Sequence, residues 1–208
     1  MSGQESKNED YISKNRLEAL VDSVFAFAMT LLVISLAIPP IPQSQAATDL
    51  PAYLSGMTHE FTSFIIAFLL LAVFWTVHHR NFHHLRTINS RVLWLNIFIL
   101  ICIVLVPFST SVSGDYPDVP VAVILFHTNL LAIGLLFAVH WYYITHTPRL
   151  VESAIDEKIV RCGSEKALIT PVIAATAIAL SFFIPSQSML TYLLIPPGIW
   201  LIQKFQCR

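Results

Sequence analysis

Asp22 stands at the mouth of a long apolar run, RLEALVDSVFAFAMTLLVISL (16–36). An ionised carboxylate in lipid is expensive and needs a partner, water or the free N–H groups of a helix start. Arg16 lies six residues earlier, which is not a facing separation on a continuous helix. The other candidate partners close the second apolar run: Trp75, His78, His79 and Arg80. They allow an ionic and hydrogen-bonded cluster around Asp22, and a helix N-terminus alone would also accommodate it. His78, His79, His83 and His84 could suggest a metal, but no carboxylate or cysteine stands nearby in sequence to complete a zinc set. No metal and no cofactor are expected. His127 and His140 fall inside a later apolar run. Intramembrane histidines bond a neighbouring helix or relay protons, and both roles stay open. The chain has no nucleophile–base pair, glycine-rich phosphate loop or HExxH, so an enzyme is not expected.

A second pattern is a stripe. Ser23, Phe27, Thr30, Ile34 and Ala37 recur at steps of four, three, four and three, which places them on one helical face. Spacing alone favours helix packing, because small residues let helices approach and large ones fill gaps.

These residues need membrane helices to hold them. The 208 residues are 55% hydrophobic and only 12% charged, about half the charge of an ordinary soluble domain. Mean hydropathy is +0.67. Six apolar runs, at 20–38, 54–77, 92–113, 121–145, 167–184 and 188–204, each approach the roughly 20 residues a crossing needs. They do not alternate as barrel strands would. Every Lys and Arg falls in the N-terminal arm, the second-to-third connection, the fourth-to-fifth connection or the C-terminal end. The intervening connections (39–53, 114–120, 185–187) carry none. The positive-inside rule therefore puts both termini in the cytoplasm. The expected protein is an all-α integral membrane protein: a mobile arm over 1–15, then one six-helix transmembrane domain over 16–208. A cleaved signal peptide fits poorly, since the first apolar run is longer than a typical h-region.

Smaller features follow. IPPIPQSQAATDLP (38–51) cannot be helical throughout. Residues 147–166 read as a short amphipathic helix, with Thr147 as cap, Pro148 in the first turn and Gly163 at its end. IPPGIW (195–200) must kink or break the last helix. Cys162 and Cys207 fall on the reducing side, where no disulfide is expected. Net charge −1 and the lack of a basic tract give no sign of nucleic acid.

Several stretches together resemble the transmembrane-protein-175 family of potassium-permeable channels, which has prokaryotic members and a lysosomal animal member. Its first helix begins with Arg, three residues, then Phe-Ser-Asp. Here Arg16 and Asp22 are kept, while Leu20 and Val21 replace the Phe and Ser. FWTVHHRNF fits a Trp-x-x-His-x-Arg-x-Phe pattern through Trp75, His78, Arg80 and Phe82. The third run fits through Leu95, Asn96, Pro107 and Phe108. The resemblance covers most of 16–145.

The resemblance implies six helices per chain in a homotetramer around one pore, lined by the first helix. By position the constriction and selectivity sites are Phe27, Thr30 and Ile34, with Ser23 on the same stripe. Phe27 stands where the family usually has a branched aliphatic residue. Arg16, Asp22, Trp75, His78 and Asn96 become a scaffold network outside the ion path. The expected activity is passive conduction of K⁺ and other monovalent cations across the cell membrane of a prokaryote. The rival is a proton-coupled secondary transporter using Asp22 with His78 or His79.

Overall fold

A computed structural model describes residues 13–38, 40–151 and 155–205. All of the regular elements among them are helical. Helix α1 spans Lys14–Leu31 and tightens into a 3-10 stretch, Leu32–Leu36. α2 (Ala46–Gly56) and α3 (Thr58–His83) follow, then α4 (Ser90–Asp115) and α5 (Pro120–Thr145). α6 covers Glu157–Leu180. The chain closes with α7 (Pro185–Ser188), a 3-10 stretch (Met189–Leu194) and α8 (Ile195–Phe205).

Helix starts follow local chemistry. Asn89 caps α4 by accepting from the Val92 N–H at 3.0 Å, and its amide donates to the Tyr143 hydroxyl at 2.9 Å. One side chain thus starts α4 and ties it to the end of α5. Pro120 occupies the first turn of α5, where its missing N–H costs nothing. Asp156 caps α6 through the Lys158 N–H.

Among the described residues, five helices are long and apolar enough to cross a membrane: Lys14–Leu36, Thr58–His83, Ser90–Asp115, Pro120–Thr145 and Glu157–Leu180. The sixth apolar run forms three joined pieces instead of one helix. Pro196 and Pro197 have no N–H to return to the carbonyls of residues 192 and 193. The Ile195 N–H bonds the Tyr192 carbonyl instead, which is 3-10 geometry. The sequence anticipates a break here, and the proline pair explains it.

Four details differ from the sequence expectation. Lys14 and Asn15, placed in the arm, belong to α1, while 1–12 lie outside the described residues. Ala37 has left the helix, with φ −67° and ψ 133°, so it drops off the stripe. Gly163 does not end a surface helix: Pro148–Leu150 forms one 3-10 turn, and Gly163 lies inside the continuous α6. A Cβ at Gly163 would collide with the Trp141 indole, so this glycine is a point of close approach. Cys162 is disulfide-bonded, against the expectation of a free thiol.

The core sits between α1, α3, α4 and α5. Val21, Phe25, Ala28 and Leu32 enter it from α1 and meet Leu70, Phe74, Ile99, Ile103, Phe126 and Phe137. α6 packs extensively on α5, where Gly134 leaves room for the ring of Pro171. A second cluster, including Leu17, Phe82, Leu85, Val92 and Leu150, closes the end where the basic residues gather. There the Lys14 ammonium donates to the Leu85 carbonyl at 2.8 Å, and the Arg86 N–H donates to the Leu150 carbonyl at 2.7 Å. Leu85 and Val151 form an antiparallel bridge. The two basic connections therefore hold each other.

Gly163→Ala is expected to destabilise the protein by about 1–3 kcal/mol, the usual cost of forcing atoms into a packed site. Thermal unfolding in detergent checks this, and an unchanged midpoint would show that α6 does not need its close approach to Trp141.

Candidate functional site: an exposed stripe on α1 and the polar network behind it

α1 has two unlike faces. Leu17, Val21, Phe25, Ala28 and Leu32 are buried. Ser23, Phe27, Thr30 and Ile34 are exposed, Phe27 at 66% and Ile34 at 65%. At 100° per residue the α-helical part of the stripe lies nearly opposite the buried face. Ile34 falls in the tighter 3-10 stretch, so it is rotated relative to an ideal α-helical register.

The two hydroxyls on the stripe are already committed as donors. Ser23 gives its proton to the Ala19 carbonyl at 2.7 Å, and Thr30 gives its own to the Phe27 carbonyl at 2.8 Å. Each oxygen keeps its acceptor lone pairs. The exposed face thus offers aromatic and aliphatic surface with acceptor oxygens set into it.

The expected five-residue cluster is divided in the structure. Its outer part is one bond: the Trp75 indole N–H donates to Asp22 Oδ1 at 2.8 Å. Trp75 also stacks on His79, with centroids 5.9 Å apart. Both Asp22 and Trp75 are exposed. The inner part is buried and joins three helices. His78 Nε2 and Asn96 Oδ1 are 2.6 Å apart, Asn96 Nδ2 donates to the Val92 carbonyl at 2.7 Å, and Asn96 Nδ2 lies 3.4 Å from His140 Nε2.

Proton positions follow from these contacts. The Val92 carbonyl only accepts, so the Asn96 NH₂ must face it, and Asn96 Oδ1 must face His78. His78 Nε2 therefore carries a proton and donates. His140 Nε2 accepts from Asn96, which leaves the His140 proton on Nδ1. That nitrogen is buried and has no partner among the described residues.

Arg16 joins neither part. It is exposed and makes no ion pair among the described residues. Lys14, two residues earlier, makes the basic contact to Leu85. This departs from the expectation because Arg16 and Asp22, six residues apart on one straight helix, point in different directions. His140 is the member that motif reasoning missed. Its intramembrane position was the available signal, but the partner depends on how α5 rolls against α4.

A second buried network ties α5 to the closing segment. His127 Nε2 lies 2.8 Å from Ser188 Oγ, and His127 Nδ1 lies 3.0 Å from the Tyr192 hydroxyl. Ser188 donates to the Pro185 carbonyl at 2.6 Å and accepts from Ser181 at 3.2 Å. With the Ser188 proton used, His127 Nε2–H donates to Ser188 and Tyr192 donates to Nδ1. His127 thus fulfils the first of its two expected roles, bonding a neighbouring helix.

Long, apolar, closely packed helices with polar groups paired inside define a multi-pass membrane protein. The family model described as the endosomal/lysosomal potassium channel TMEM175 matches residues 16–107, which include most of α1, the indole–carboxylate bond and Asn96. A potassium channel of Streptomyces collinus is 25% identical over 150 residues, covering 70% of this chain and 71% of its own. A potassium channel of Chamaesiphon minutus is 28% identical over 170 residues, covering 80% and 83%. The crystal structure of a lysosomal potassium-selective channel TMEM175 homolog from Chamaesiphon minutus superposes with TM-score 0.78 at 25% identity, covering 91% of this chain and 97% of that one. Over residues 16–107 the chain is similar to the TMEM175 family of ion channels, and it shares the fold of that solved homolog.

Asn96→Ala is expected to cost about 1–3 kcal/mol, because it strands the buried His78 and His140 nitrogens. Trp75→Phe, losing one exposed bond, is expected to cost about 1 kcal/mol or less. Thermal unfolding of both variants in one detergent gives the order, and equal losses would contradict the division into a buried and an exposed part.

Proposed function

We propose that the chain is a passive potassium-permeable channel, assembled as a homotetramer with α1 of each copy lining a central pore. Phe27, Thr30 and Ile34 form its constriction, and Ser23 lies on the same stripe towards the basic end. The observation that carries this reading is the exposed α1 face, opposite the buried one, with its hydroxyl oxygens left as acceptors. Four copies around an axis would make rings of apolar side chains with a ring of threonine oxygens between them. An apolar ring resists wetting and sets the width at which a hydrated cation passes. Threonine oxygens that have no proton to offer can replace part of the hydration shell of K⁺. The names of the bacterial relatives as potassium channels point the same way.

Six crossings per chain complete the assembly. The closing segment packs along α6, and α8 carries Lys204 in its last turn, which supports a sixth crossing despite its broken helix. Both termini then face the cytoplasm, and the channel resides in the cell membrane. The proton-coupled carrier is less well supported, since Asp22 is engaged by Trp75 and His78 by Asn96, on separate parts of the network.

The test is ion flux from purified protein in liposomes. K⁺ should leak down its gradient without saturating and without an imposed proton gradient. Ile34→Ala should raise the rate by opening the throat, and Thr30→Ala should lower the preference for K⁺ over Na⁺ several-fold. Flux that saturates and follows a proton gradient would replace the channel with the carrier.

A further inference from the structure

A cavity of about 280 Å³ opens between α3 and α6 at the basic end of the bundle, away from the α1 stripe. α5 packs against α6, but α3 and α6 barely touch, so a seam remains between them. Its two ends differ in chemistry. Arg80, Lys158 and Lys166 line the mouth, while Val73, Phe137 and Ile199 line the far end. On α3 the lining runs from Val73 to Asn81, which is roughly 12 Å at the rise of an α-helix.

The charges at the mouth have nothing to balance them. None of Arg80, Lys158 and Lys166 forms an ion pair among the described residues, where the recorded pair is Arg161 with Glu165 on the side of α6. Arg80 and Lys166 instead lie within repulsive reach of one another. Burial and the neighbouring His83 hold His84 below its usual range. Asn81 supplies an independent sign. The residue lines the cavity and is 7% exposed, and its amide bonds no described residue. The amide is not among the fully buried unsatisfied groups, so it faces the cavity space and is open to a polar group from outside the chain.

We infer that the α3–α6 cavity is a binding site for an anionic glycerophospholipid of the adjacent leaflet, its phosphate held by Arg80, Lys158, Lys166 and Asn81 and one acyl chain entering the apolar end. Charge complementarity fixes the head group, and basic pockets between transmembrane helices suit such lipids. The apolar lining beside the basic residues distinguishes an amphiphile from a small soluble anion. The site needs no ion conduction, so it stands or falls separately from the pore.

Native mass spectrometry and thermal unfolding of the full chain in mild detergent test it, with phosphatidylglycerol, phosphatidylcholine and inorganic phosphate as probes. Phosphatidylglycerol should be retained and should raise the unfolding midpoint, whereas phosphatidylcholine and inorganic phosphate should do neither. Lys158→Gln and Lys166→Gln should each weaken phosphatidylglycerol retention roughly fivefold, the effect of one basic group near an anionic head group. Lys166→Arg should preserve it. Lys158 is exposed, so its variant keeps the test sound if Lys166→Gln folds poorly. Equal retention of phosphatidylcholine, protection by phosphate alone, or variants that hold phosphatidylglycerol unchanged would each overturn the assignment.

Discussion

The Asn96 amide is the joint on which the rest of the structure depends. It sits on α4, fully buried, and meets His78 of α3 on one side and His140 of α5 on the other. The Val92 carbonyl allows the amide one orientation, and that orientation fixes the tautomers of both rings. Each such bond contributes little net stability inside a membrane, about 0.6 kcal/mol on average. An unpaired polar group in hydrocarbon costs several times more. The network therefore works chiefly by exclusion: a slip or roll of any of the three helices strands buried donors and acceptors. It sets register more than it adds stability.

That register passes to α1 through packing. Phe25 lies against the His78 ring, with centroids 6.3 Å apart, and His78 in turn stacks on Phe82 at 4.2 Å. With Val21, Phe25, Ala28 and Leu32 committed to the core, α1 has no freedom to turn, and its opposite face looks out of the bundle. The Asp22–Trp75 bond pins the same roll from the surface. At the far end, His127 holds the 3-10 stretch that two prolines force on the closing segment. Two histidine networks thus lock the bundle at two depths, and neither needs a charge in lipid.

Much of this was legible in the sequence, for identifiable reasons. Length, hydropathy and the one-sided placement of Lys and Arg exposed the long helices because lipid penalises unpaired backbone and buried charge severely. The Trp75–Asp22 and His78–Asn96 pairings could be approached because each joins residues of one short motif to a neighbouring helix. The stripe of Ser23, Phe27, Thr30 and Ile34 was readable from period alone, although its exposure was not. What could not be read was set by packing between distant residues. Gly163 has the local signature of a helix end, yet it marks where α6 presses on Trp141. Arg16 matches a motif but points away, because a straight helix separates it from Asp22. His140 and Tyr192 acquire partners only once the roll of α5 is known.

The central claim is that the outward face of α1 meets its copies around an axis. A cryo-electron-microscopy structure of the purified protein in lipid nanodiscs measures this directly. The account predicts four chains with Phe27, Thr30 and Ile34 converging on the symmetry axis as the narrowest part of a continuous path. Those three side chains turned towards lipid, or an assembly whose axis is lined by another helix, would contradict it.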